Sequence, residues 1–108
     1  MDKATEEKIA ELQIIEQNLQ RFLSQKQQFQ SQIVELDSAI KEIEGSKEAH
    51  RIIGNIMVSV APEKLGEDLK SKKEMAEIRL KSIEKQEAGM REKADDLQKE
   101  VMKSINKK

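Results

Sequence analysis

The chain has 108 residues, of which 38% are charged and 2% aromatic, with no Cys, Trp or Tyr and a formal net charge of −1. The lack of Cys excludes a disulfide frame, a thiol nucleophile and thiolate metal sites, and it fits a reducing compartment. An apolar share of 36% suits helices that share a thin seam better than a thick globular core.

No apolar run approaches the ~20 residues of a membrane span. The opening "MDKATEEKIAEL" has no signal-peptide core. A cytoplasmic protein with no membrane partner is expected, and its length reads as one domain over residues 1–108. Charge is unevenly spread: residues 1–45 hold 5 Lys and Arg against 9 Asp and Glu (net −4), and residues 46–108 hold 15 against 12 (net +3). Two halves of opposite bias attract modestly when folded side by side.

The first predicted element is a helix over residues 5–45. Leu12, Ile15, Leu19, Phe22, Lys26, Phe29, Ile33, Leu36, Ile40 and Ile43 step alternately by three and four, an a/d heptad seam with one polar break at Lys26. Gly45 suits the residue that ends the helix. About 40 helical residues span roughly 60 Å.

Residues 49–61 are predicted as a β-hairpin. "RII" and "IMVSV" are β-branched runs, and Gly54-Asn55 between them supplies a two-residue turn. Ile52, Ile53, Ile56, Met57, Val58 and Val60 make both faces apolar. A lone hairpin is marginal in water and has two open edges. The helices spend their apolar faces on each other, so these strands are expected to pair with strands of other chains, as an assembly module.

The second helix is predicted over residues 62–105, with Pro62 in its first turn. Its stripe is Leu69, Lys73, Ala76, Leu80, Ile83, Glu87, Met90, Ala94, Leu97 and Val101. Folding it back on the first helix gives one antiparallel register. Ile40 then faces Leu69, Ile33 faces Ala76, Phe29 faces Leu80, Lys26 faces Ile83, Phe22 faces Glu87, Ile15 faces Ala94 and Leu12 faces Leu97. The competing arrangement is a slip of one arm by a whole heptad. Lys26 and Glu87 interrupt the seam, and their charges are expected to reach solvent along apolar neighbours. Beyond Leu12 and Leu97 the register sets Lys8 opposite Val101 and Thr5 opposite Ser104, where apolar pairing is expected to stop.

Signs of chemistry are weak. His50 is the sole His and reads as a surface residue entering a strand, with no metal-ligand cluster around it. There is no Gly-rich phosphate loop. Ser24, Ser31 and Ser38 lie on a line outside the seam with no base nearby, and the acidic residues read as solvated helix faces. A non-enzyme is expected, with no catalytic residue, cofactor or metal. Nucleic acid is not an expected partner: the net charge is −1 and both Phe side chains are committed to the seam.

Three segments, "LQIIEQNLQRFLSQKQQFQSQIVELDSAIKEIE", "RIIGNIMV" and "LKSKKEMAEIRLKSIEKQE", in the order helix, single hairpin, helix, resemble the β-type subunit of prefoldin in its archaeal style. The resemblance covers nearly the whole chain, and the "IIGNIMV" block is its most specific part. It implies a mainly α fold: a long antiparallel two-helix coiled coil joined by a central β-hairpin that pairs between chains into a β-barrel platform. It implies a hetero-hexamer of two α-type and four β-type subunits acting as an ATP-independent holdase. Unfolded client proteins would be held at the coiled-coil tips and delivered to a group II chaperonin. On that reading Ile52, Ile53, Gly54, Asn55, Ile56, Met57, Val58 and Val60 form the oligomerisation hairpin. Ile9, Leu12, Ile14, Ile15, Val101, Met102 and Ile105, the apolar residues of the opposite end, would contact clients. The rival reading is a structural coiled-coil scaffold that binds no client.

Overall fold

A computed structural model describes residues 2–106. Helix α1 runs over Lys3–Ile43, strand β1 over Ala49–Ile53, strand β2 over Ile56–Val60 and helix α2 over Pro62–Asn106. The mainly α fold with one central antiparallel hairpin is the one expected.

Each helix boundary has a local cause. α1 begins before Thr5 because Asp2 caps it: the Asp2 side chain accepts the Thr5 amide at 2.7 Å, and its carbonyl accepts the Glu6 amide at 3.1 Å. The Thr5 hydroxyl and then its amide hold the Asp2 carboxyl below its ordinary value. α1 ends before Gly45 because that residue adopts φ +78°, a left-handed conformation that glycine reaches without a Cβ clash. The Ser46 amide then donates to the Ile43 carbonyl at 3.0 Å, and the Ser46 hydroxyl to the Glu42 carbonyl at 3.0 Å. α2 starts at Pro62, and the Ala61 carbonyl accepts the Leu65 amide at 3.0 Å.

The helical residues fall into two compact units, described in turn. The hairpin-bearing unit covers residues 28–80. In it Leu36, Ile40 and Ala76 are buried, and Phe29, Ile33, Leu69 and Leu80 are half-buried. A Cβ added at Gly66 would lie 4.0 Å from Ile43 Cγ2, as the expected register requires. Lys73, a polar seam residue, reaches Asp37 at 2.6 Å, and that hydrogen bond raises the lysine above its ordinary pKa.

The terminal unit holds the residues up to Gln27 and from Lys81 onward. Ile15, Phe22, Ile83, Leu97 and Val101 are buried, and Leu12, Leu19, Met90 and Ala94 half-buried. Lys8 pairs with Glu100 at 3.4 Å and Lys93 with Glu11 at 3.0 Å. The Lys8–Glu100 pair fits the expected register, which sets Lys8 opposite Val101, and does not fit a slip of seven residues in either direction.

Two expectations need correction here. The charges of Lys26 and Glu87 do not go separately to solvent. Lys26 Nζ donates to Glu87 Oε1 at 3.0 Å, and Glu87 is only 7% exposed. In the register each faces an apolar residue, and the two long side chains bridge the one-turn offset between them. Nor does the seam stop at Leu12 and Leu97. Val101 is 8% exposed and Thr5 2%. Asp2 takes up both the Thr5 amide and its hydroxyl, which allows this polar residue to be buried.

Glu87 carries a cost with its partner. Its Oε2 is buried without a hydrogen bond, and Arg91 stands 3.6 Å away. The Lys26 hydrogen bond still outweighs desolvation and holds the carboxyl below its ordinary value of 4.5. A lowered folded-state pKa stabilises above the unfolded value, and that stability is lost as pH falls through the folded value. The melting temperature of the chain minus that of Glu87→Gln should therefore stay constant from neutral pH down to about 5 and shrink below about 4.5. A difference that persists unchanged to pH 2 would remove the ion pair from the stability of this layer.

The register is open to a direct test. Cys residues placed at Leu12 and Leu97 should form a disulfide within one chain under mild oxidation, read as a mobility shift on a non-reducing gel. Cys at Leu12 and Met90, the partner in a one-heptad slip, should not.

Candidate functional site

The hairpin is built from its turn outward. Ile53 pairs with Ile56, leaving Gly54-Asn55 as the two-residue loop. Gly54 has φ +61°, and among the described residues no non-glycine residue has positive φ. Glycine first and a negative φ second is the type II′ turn, whose twist matches the strands it joins. Ile52 pairs with Met57, Arg51 with Val58, His50 with Ser59 and Ala49 with Val60.

Opposite residues share a face. One face carries Ala49, Arg51, Ile53, Ile56, Val58 and Val60, and the other His50, Ile52, Met57 and Ser59. Ala49 is buried and Arg51 reaches Asp68 of α2 at 3.0 Å, which ties the base of the hairpin to its helix. The sequence pattern alone did not single out Arg51; its sign opposite to Asp68, shortly after the strand, was the available signal. Toward the turn nothing covers the strands. Ile52, Ile53, Ile56 and Met57 are 60–69% exposed, and Val58 is exposed too. The two strands form the whole sheet, so each has one edge without a partner.

In the terminal unit the expected apolar residues divide. Ile15 and Val101 are buried in the seam, Ile9 and Leu12 are half-buried, and Ile14, Met102 and Ile105 are exposed. The first two support the helix pair, and the last three face outward. A groove of about 410 Å³ also runs beside the seam. Ile9, Leu12, Ile15, Leu19 and Ala94 give its apolar part; Glu16, Arg91 and Asp95 are among its polar residues. It exists because Ala94 is small opposite Ile15. Sequence reasoning recognised that large-against-small layer and missed the open space that it leaves. A second groove, about 420 Å³, lies in the hairpin-bearing unit beside Ile43, Pro62 and Gly66.

Among the described residues no group of His, Cys, Asp and Glu could hold a metal ion, and no helix is long and apolar enough to cross a membrane.

Comparison with known proteins decides the family. The family model described as "Prefoldin subunit" matches residues 6–108. The chain belongs to the prefoldin subunit family. Curated prefoldin relatives include the prefoldin subunit beta of Pyrobaculum calidifontis, 35% identical over 92 residues, covering 82% of this chain and 74% of the relative. That of Thermococcus onnurineus is 31% identical over 100 residues, covering 90% and 86%. The crystal structure of the prefoldin beta subunit from Thermococcus strain KS-1 superposes with a TM-score of 0.88 at 27% identity, covering 95% of this chain and 93% of that one. The β-type resemblance read from "RIIGNIMV" and its flanking helices is thus matched in sequence and in fold. Prefoldin membership carries a chaperone role in general and assembly with other prefoldin subunits.

Proposed function

We propose that this chain is a β-type subunit of a cytoplasmic, ATP-independent holdase built from two α-type and four β-type subunits. The strands around Gly54-Asn55 pair between chains into a β-barrel platform. The terminal units hold non-native proteins, which pass to a group II chaperonin. The observation that carries the reading is the hairpin: four adjacent apolar side chains at least 60% exposed, on two strands with open edges. Such a surface calls for further strands. The same reading assigns client contact to the end that carries Ile14, Met102 and Ile105, since Met and Ile there are apolar, outward and uncommitted to the seam. Several such ends acting together would gain affinity from weak contacts.

Assembly is tested at the strands. Ile53→Asp with Val58→Asp places two charges inside the barrel, at a cost of several kcal/mol unless they are paired. Oligomer mass by light scattering should fall while helicity by circular dichroism persists. An unchanged mass would defeat the platform.

Client holding is tested at the other end. Met102→Ser with Ile105→Ser in the assembled complex should leave oligomer mass unchanged and weaken suppression of aggregation of a denatured protein severalfold. An assembled wild-type complex that gives no suppression at all would leave the scaffold reading in its place.

A further inference from the structure

The terminal unit has two unlike flanks. On α2, Lys93, Asp96, Glu100 and Lys103 step by three and four along one flank. Two of these residues make the ion pairs to α1, Lys93 with Glu11 and Glu100 with Lys8. Arg91, Asp95, Gln98, Met102 and Ile105 step in the same way along the other flank. Among the described residues no ion pair between the helices involves any of these five. Arg91 instead lies 3.6 Å from Glu87 on its own helix.

The groove opens on this second flank, since Arg91, Asp95 and Gln98 all line it. Met102 and Ile105, both exposed, continue the same line of α2 past the groove. One flank is thus laced by ion pairs between the helices, and the other is open, with an apolar floor and a polar rim.

The groove's charge selects its occupant. Glu16 and Asp95 bring two negative charges to its edge. The one cation there, Arg91, is drawn toward Glu87. A volume of about 410 Å³ lies within the range of roughly 300–1,000 Å³ of sites that take small ligands or side chains.

We infer that the groove at Ala94 is a seat for a large apolar side chain of an unfolded polypeptide that carries Lys or Arg beside it. This deepens the holdase reading and rests on it. It places the anchor of a bound client on the flank of the helix pair, with Met102 and Ile105 continuing the contact along the same line. A client segment would lie beside α2 with its cations near Glu16 and Asp95.

The test uses the full-length chain and two fluorescein-labelled peptides, one with a Leu-Phe centre flanked by lysines and one with the same centre flanked by glutamates. Fluorescence anisotropy at low salt should show the lysine peptide binding about tenfold more tightly, and the gap should narrow as salt is raised. Ala94→Leu fills the groove and should weaken the lysine peptide about tenfold, with helicity, melting temperature and oligomer mass preserved. Glu16→Gln with Asp95→Asn, both at exposed positions that fold without difficulty, should reduce the preference between the peptides to under about threefold. Asp96→Asn, which removes a negative charge from the other flank, should leave the preference between the peptides unchanged. Equal affinities for the two peptides, or undiminished binding by a folded Ala94→Leu variant, would overturn the proposal. A change of oligomer mass in Ala94→Leu would assign the groove to contact between copies and overturn it as well. Suppression of aggregation by the wild-type complex reads the holdase function separately: if it persists while the peptide results fail, the groove falls and the holdase stands.

Discussion

Burial of one narrow apolar seam between two antiparallel helices is the constraint from which the other features follow. The chain has few apolar side chains, and the seam takes most of them in α1 and α2. The strands therefore have no helix face left to cover them. The apolar residues of the hairpin stand in solvent because the helices are already satisfied, and that surplus is what the proposed assembly would draw on. The same economy applies in the terminal unit. Beside Ala94 the helices leave a groove open, whereas Ala76, the other small residue facing an Ile, is closed over.

Polar interruptions are handled within the same constraint. Lys73 finds Asp37 at the side of the seam, and Lys26 finds Glu87 inside it. Buried ion pairs add little net stability compared with apolar packing, yet removing one partner is costly. The pair thus works against any register that separates its members. A slip of one heptad that sets Glu87 opposite Ile15 would bury it away from Lys26, so the pair works against that alignment.

The seam was legible in the sequence because a three-four step is periodic and every layer repeats the same information. All ten stripe positions of α2, from Leu69 to Val101, are buried or half-buried. The hairpin was legible because Gly54-Asn55 sits between two β-branched runs. What the sequence concealed depends on side-chain reach. Lys26 and Glu87 are not opposite each other in the register, so a pairing of layers sends each to solvent on its own. Their contact needs two long side chains leaning toward each other across a turn, and opposite charge was the sole clue. Thr5 was concealed for another reason. Its hydropathy reads as polar, but Asp2 takes up both its amide and its hydroxyl, so the residue can be buried. The groove was hidden because a step pattern records which residues face inward and says nothing of the volume they fill.

The open strand edges also bear on how the protein must be handled by the cell that makes it. A free copy presents four large apolar side chains on two edges that accept strands from any source, including those of unrelated chains. On the proposed assembly, mass action would tie the solubility of this protein to the supply of the chains that complete its sheet. Excess synthesis of one subunit over its companions would fill the pool with sticky monomers. Balanced production, or rapid degradation of the surplus, would then be a requirement that the hairpin imposes.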